Sequence, residues 1–324
     1  MGIRGINYDV GTQTGPFLSR EVFDAATTRR DLGVIRDELH CDAVRISGTE
    51  RARLIEAAGI ALELGLEVWL SPHLHDGDAE ETLAHLRECA AAAQELDSER
   101  IVFLAGGELT LFMKGILKGD TLFERLRPQQ MIKLRLLGTH NKPLNAFLQR
   151  AAAEVRGVFR GRVSYASAPI EKVDWSPFDY VCVDTYRGKR NRTDYGERFR
   201  RHLQHGKPVY VTEVGCCAYR GAEEKGGMGW AIVDQEHGRL SGTYVRDEEL
   251  QAREVVDMAD ILDREGAAGV FVFTFAAPTL THHDDPAFDL DMASYGVVRS
   301  YDDGHWEPKR LFQALAERNA RAAR

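Results

Sequence analysis

Two stretches of this chain end on a carboxylate where packing gives no reason for one. In Ile101-Val-Phe-Leu-Ala-Gly-Gly107-Glu108 and in Pro208-Val-Tyr-Val-Thr-Glu213-Val-Gly215, an apolar run stops on a glutamate. Runs of this kind form buried strands, and glutamate is seldom buried without a partner. Two strands that each deliver one glutamate at a C-terminal end suggest carboxylates facing each other across a cleft. That pairing suits glycosidic cleavage, with the carboxyls about 5–5.5 Å apart when configuration is retained.

Such a pair needs a scaffold, and the rest of the chain supplies one. Short β-branched runs bounded by turn residues predict eight strands, at 3–9, 43–48, 67–73, 101–108, 163–168, 180–186, 208–214 and 269–276. Helical patterns fall between them at 20–39, 50–64, 79–96, 144–158, 195–205, 248–265 and 308–321. Ser19, Thr49 and Asp78 are the candidate caps, the last with Glu81 placed for a capping box. Only 171–178, between strands five and six, is too short for a full helix. The alternation predicts an α/β protein with a single (β/α)8 TIM barrel over 1–324. Its long loops follow strand four (109–142) and strand seven (216–246), so both would overhang the active face. The apolar content of 109–142 predicts a helical flap over the cleft or, as the alternative, a subunit contact that would make a homo-oligomer.

The strand ends collect polar and aromatic groups: Asn7, Tyr8 and Asp9; Arg45 and Ser47; His73 and His75; Glu108; Tyr165; Asp184 and Tyr186; Glu213; Thr274 and Phe275. Convergence of this kind marks a barrel's site. Glu213 has to be ionised to attack an anomeric carbon, a state that a nearby Arg45 would favour. Glu108 has to carry a proton for the leaving oxygen, a state that desolvation by Gly106, Gly107 and the following apolar loop would favour. Tyr186 would orient Glu213 by a hydrogen bond, and Asn7, Asp9, His73 and Asp184 would meet substrate hydroxyls.

Composition narrows the class. The chain has 324 residues, 44% hydrophobic and 28% charged, with a formal net charge of -8; its pI is about 5.8 and its mean hydropathy -0.34. This balance argues against nucleic acid or an anionic membrane as partner. The one local exception, Arg187-Gly-Lys189-Arg190-Asn-Arg192, reads as a solvated loop, or as a site for an anionic substrate group. No stretch has the ~20 apolar residues of a membrane span. The opening residues Met1 to Asp9 enter a strand without the apolar core of a signal peptide. Cys41, Cys89, Cys182, Cys216 and Cys217 fit no C-x-x-C spacing. The expectation is a cytoplasmic enzyme with reduced thiols, no cofactor, no metal and a small sugar-like substrate.

The chain resembles the large clan of retaining glycoside hydrolases built on (β/α)8 barrels. The match rests on Gly106-Gly107-Glu108, Val211-Thr212-Glu213, Arg45, His73 and Tyr186. It also rests on the ending Asp291-Met-Ala-Ser-Tyr295-Gly-Val-Val298 with Trp306-Glu-Pro-Lys309-Arg-Leu-Phe312. The resemblance implies Glu108 as acid/base and Glu213 as nucleophile. Two departures stand out. Gly107 replaces the Asn that precedes the clan's acid/base and binds the sugar 2-hydroxyl, and Phe275 stands where most members carry a Trp platform under the sugar. Trp230 in the strand-seven loop could supply that platform. The missing Asn implies a substrate other than an ordinary hexoside or pentoside.

Two rival readings start from other residues. His73-Leu-His75-Asp76, with His282-His283-Asp284-Asp285, has the residue types of a metal-dependent isomerase, lyase or hydrolase. The missing Asn and Trp also fit a non-catalytic sugar-binding barrel recruited to defence or specialised metabolism.

Overall fold

In the computed structural model, which describes residues 2–322, eight parallel strands hydrogen-bond in a closed ring in chain order. They are β1 (Ile3–Asp9), β2 (Ala43–Gly48), β3 (Glu67–Pro72), β4 (Ile101–Gly107), β5 (Arg162–Ser167), β6 (Val181–Asp184), β7 (Val209–Val214) and β8 (Gly269–Val272). Each overlaps its predicted span, and helices alternate with them, so the chain is a (β/α)8 barrel. Residues 1, 323 and 324 of the domain expected over 1–324 lie outside the described residues. No helix among the described residues is long and apolar enough to cross a membrane.

Contacts concentrate in two units. The first comprises Met1–Asp9, Arg30–Val44 and Thr185–Arg324; the second comprises Val10–Arg29 and Arg45–Asp184. In the second unit, helices Ala79–Glu95 and Asn141–Val158 pack together. They bury Leu83, Leu86 and Ala90 from one, and Leu144, Leu148 and Ala151 from the other. Burying each such leucine contributes roughly 1.5–3 kcal/mol. The first unit has a matching pair in Glu248–Arg264 and Arg310–Ala322.

The caps divide. Asp78 forms the full capping box with Glu81. Asp247 caps Glu248–Arg264 by accepting from Leu250 N at 2.9 Å. Thr49 and Ser19 do not cap. Their hydroxyls accept from Gln13 N at 2.9 Å and Thr12 N at 2.6 Å, holding a small hairpin, Gln13–Thr14 with Phe17–Leu18, in the connection between β1 and the first helix. Asp24, at 2.6 Å from Thr27 N, serves the first helix instead, and that helix starts at Ala25. Hydroxyls are weak local signals, because a turn competes for them as readily as a helix does.

The loop after β4 holds helical turns Leu109–Phe112 and Leu122–Arg125 and the helix Pro128–Leu137. Its centre is a charge: Arg125 is fully buried and donates to Leu111 O at 2.6 Å, Gly119 O at 3.1 Å and Phe112 O at 3.2 Å, and it pairs with Asp76. Phe123, Ile132, Leu136 and Leu137 remain exposed on this segment. The loop after β7 contains the 3-10 segment Gly226–Ile232 and a short hairpin, Val233–Asp234 with Arg239–Leu240.

Candidate active site

Both glutamates sit where a strand breaks its register. Along β4 and β5, Leu104 pairs with Ser164 but Gly107 pairs with Ala166, so β4 carries one extra residue just before Glu108. Along β8 and β7, Val270 pairs with Val211 but Val272 pairs with Val214, so β7 carries one extra residue around Glu213. Bulges re-aim side chains at barrel rims, and both glutamates are half-exposed at otherwise buried strand ends.

In the second unit, Gly106 takes a φ of 98°, which places the bulge on a residue without a side-chain penalty. Glu108 follows in the left-handed region, at φ 45° and ψ 38°, and opens the turn Leu109–Phe112. Gly107 has a packing reason as well. A Cβ there would lie 3.2 Å from Arg45 Nη2 and 3.4 Å from Ala166 Cβ. A side chain at 107 would therefore ask the Arg45 guanidinium to give by a few tenths of an ångström.

Arg45 is buried, with Nη1 4.0 Å from Asp184 and with Nε and Nη2 at 3.3 and 3.2 Å from Ser71 Oγ. From Ser71 a chain of contacts runs outward. Ser71 Oγ to His73 Nε2 is 3.1 Å, His73 Nδ1 to His75 Nε2 is 3.2 Å, and His75 Nδ1 to Thr14 Oγ1 is 2.7 Å. His75 also stacks on Phe112, with centroids 3.9 Å apart. Burial lowers both imidazoles' affinity for a proton: His73 falls well below its ordinary pKa, and His75 is pushed down to about 4. With both neutral, Ser71 accepting from two Arg45 N–H groups has its own proton to give, which polarises the chain from Arg45 toward Thr14.

This geometry bears on the metal-binding reading. The two rings bond to each other rather than aiming at a shared point, and among the described residues no group of three or more His, Cys, Asp or Glu could hold a metal ion. His282 pairs with Asp289 at 2.9 Å, and His283 Nδ1 accepts from Asp285 N at 2.9 Å.

In the first unit, Tyr186 Oη donates to Glu213 Oε2 at 2.7 Å, and Thr185 N donates to Glu213 O at 2.9 Å. Asn7 is buried and points its amide at Thr212 O (3.0 Å) and Val272 O (3.2 Å), fixing the residue before Glu213. Behind Tyr186 lies Tyr295, with ring centroids 5.6 Å apart, and Tyr295 also contacts Phe273 at 5.8 Å. The Tyr295 hydroxyl accepts from Gly229 N at 3.0 Å and donates to Gly226 O at 3.2 Å, pinning the backbone next to half-exposed Trp230.

The predicted site residues thus fall into two groups. Asp9, His73, Glu108, Tyr186, Glu213 and Trp230 keep some exposure, while Asn7, Tyr8, Arg45, Tyr165, Asp184 and Phe275 are buried. Phe275 packs edge-on against Trp306 at 5.3 Å and tilts against Tyr8 at 6.0 Å. Tyr8 in turn hydrogen-bonds Asp31 at 3.1 Å. The partly exposed aromatic beyond β8 is Phe273, because the strand and its alternation end at Val272. The basic cluster divides. Arg187 and Arg192 reach Glu254 at 2.7 and 2.9 Å, which leaves Lys189 and Arg190 exposed. All five cysteines are buried free thiols.

Sequence reasoning missed Ser71, Phe273, Tyr295 as a support for Tyr186, and Glu171, whose carboxylate lies under the β4 corner. The only signal for Glu171 was an acidic residue after Pro169-Ile170 in a connection too short for a helix.

The sequence matches no known family profile and no curated protein. Solved structures do share the fold. A GH113 β-1,4-mannanase aligns at a TM-score of 0.64 with 16% identity, over 98% of this chain and 99% of that one. The GH113 β-mannanase AaManA from Alicyclobacillus acidocaldarius, in complex with ManMIm, gives 0.63 and 16%, over 99% and 98%. A family 1 β-glucosidase from Thermotoga maritima gives 0.56 and 10%, over 99% and 97%. At these identities the likeness is one of fold.

Proposed function

We propose that the chain is a retaining glycosidase acting on a small glycoside, with Glu213 as nucleophile and Glu108 as acid/base. The observation that carries this reading is the 2.7 Å hydrogen bond from Tyr186 to Glu213, on a bulged strand end beside a pinned aromatic loop. A phenol donating to one carboxylate oxygen fixes the rotamer that attack requires. The shared fold with a mannanase and a glucosidase supports a glycoside as substrate.

The chemistry balances with the chain's own groups. A Glu213 oxygen bonds to the anomeric carbon as the aglycone oxygen leaves with the Glu108 proton. Water then attacks the same carbon, gives its proton to Glu108, and the ester to Glu213 breaks, restoring both residues. Gly107 leaves no side chain for the sugar 2-hydroxyl, so the proposal extends to a substrate whose 2-position needs no such contact.

The test is a panel of activated aryl glycosides and their 2-fluoro analogues. Wild type should turn over at least one member and carry a covalent sugar on the peptide containing Glu213. Glu213→Ala should lose turnover and, with azide, give the inverted glycosyl azide. Glu108→Ala should lose roughly 10²–10⁴-fold on substrates with poor leaving groups, and give the retained azide product. Loss of wild-type activity on chelation, or both variants staying active, would overturn the two-carboxylate reading.

A further inference from the structure

Glu108 stands on a backbone conformation that costs a residue with a side chain roughly 1–2 kcal/mol, so its surroundings have to hold it there. The turn it opens has no side-chain cap of its own, yet the first N–H groups of a helical turn need acceptors. Three amides leave this corner. Glu108 N donates to Ala166 O at 2.8 Å, Leu109 N to Tyr165 Oη at 2.8 Å, and Thr110 N to Glu171 Oε1 at 3.0 Å.

The acceptors are themselves linked. Having accepted from Leu109, the Tyr165 hydroxyl turns its proton to Glu171, whose oxygens lie at 3.0 and 2.9 Å. Glu171 Oε2 also accepts from Ala168 N at 2.9 Å, closing the turn that presents it. These contacts all give protons to Glu171, so the arrangement suits an ionised carboxylate. Burial raises the pKa of both Glu171 and Tyr165, while the bonds from Thr110, Tyr165 and Ala168 oppose the rise at Glu171. Burying a carboxylate among neutral donors is a costly way to tie down a loop. Its position, one hydrogen bond from the residues after Glu108, gives the cost a purpose.

We infer that Glu171 is a positioning residue for Glu108: with Tyr165 it caps the turn from the neighbouring connection and fixes the direction in which the Glu108 carboxyl points. The inference rests on reading Glu108 as the acid/base. It accounts for Tyr165 without substrate contact, since the ring is buried and its hydroxyl is committed to this clamp.

The experiment compares wild type, Glu171→Gln and Tyr165→Phe on two aryl glycosides that share a sugar and differ in leaving group. Amide hydrogen exchange at Leu109 and Thr110 is measured in parallel. Glu171→Gln should lose roughly 10- to 100-fold in kcat/KM on the poor leaving group and little in kcat/KM on dinitrophenolate, a partial copy of removing the acid itself. The two amides should exchange at least about tenfold faster while those of Val102 and Phe103 stay protected. Tyr165→Phe, which keeps the ring and deletes only the hydroxyl, should show the same pattern more weakly and covers the case in which Glu171→Gln fails to fold. Equal losses on both leaving groups, or unchanged exchange at Leu109 and Thr110, would overturn the positioning role. Should wild type turn over no glycoside, the acid/base reading falls, while exchange still decides whether Glu171 holds the corner.

Discussion

The two glutamates reach the surface by the same device and are held by different ones. β4 and β7 each carry one extra residue at the strand end, and in each case the bulge turns a carboxylate outward. At Glu213 the side chain is held directly, by the Tyr186 hydroxyl, while the backbone stays extended. At Glu108 it is the backbone that is held, through the left-handed corner and its amides. The difference suits the roles proposed. A nucleophile keeps one charge state until it attacks and profits from a fixed donor. An acid/base cycles its proton, so fixing its place through the backbone commits the carboxyl less to one charge state than a donor bonded to it would.

Breaking the backbone-held corner should have the largest effect. Gly106→Ala puts a Cβ into a φ of 98° and within 2.9 Å of Leu109 Cδ1. Urea unfolding should show a loss of about 2–3 kcal/mol, with activity falling most on poor leaving groups. The side-chain-held glutamate should respond differently. Tyr186→Phe removes one bond to a charged group, worth about 1.5–3 kcal/mol, so kcat/KM should fall roughly 10- to 100-fold. That loss should be the same for every leaving group, with stability nearly unchanged. A leaving-group dependence in Tyr186→Phe would erase the contrast.

A smaller effect sharpens the picture of the second unit. His75 is neutral when folded and pushed down to about 4, against an ordinary 6.5 in the unfolded chain. The unfolded state therefore binds the extra proton first, and stability should fall as pH drops from about 6.5 toward 4. In His75→Gln the slope of unfolding free energy between pH 6.5 and 5, above most carboxylate titrations, should flatten. An unchanged slope would show that His75 takes up its proton in the folded protein as readily as in the unfolded one. The smallest effect is confined to a helix cap. Asp78→Ala should cost about 1 kcal/mol of stability through the lost cap, and leave kcat and KM alone.

Much of the barrel was legible in the chain because its signals are local. Strands covered on both faces need continuous apolar runs, so the eight runs announced themselves, and Asp78 with Glu81 spelled a capping box within four residues. The glutamates stood out because a carboxylate closing such a run contradicts its surroundings. What escaped depends on pairing between distant segments. A single extra residue moves every later side chain to the other face of a strand, so neither bulge could be read from one strand alone; that Phe273 rather than Phe275 is the partly exposed ring depends on where β8 ends and on Phe275 packing against Trp306. Gly107 stands in the sequence only as an absent Asn, whereas the fold places the Arg45 guanidinium 3.2 Å from where its Cβ would be. Glu171 carried no motif, since its role depends on Tyr165, Leu109 and Thr110 coming together across two connections. Local composition determined which residues could do chemistry; hydrogen bonds between segments far apart in the chain decided which are held at the surface and which do the holding.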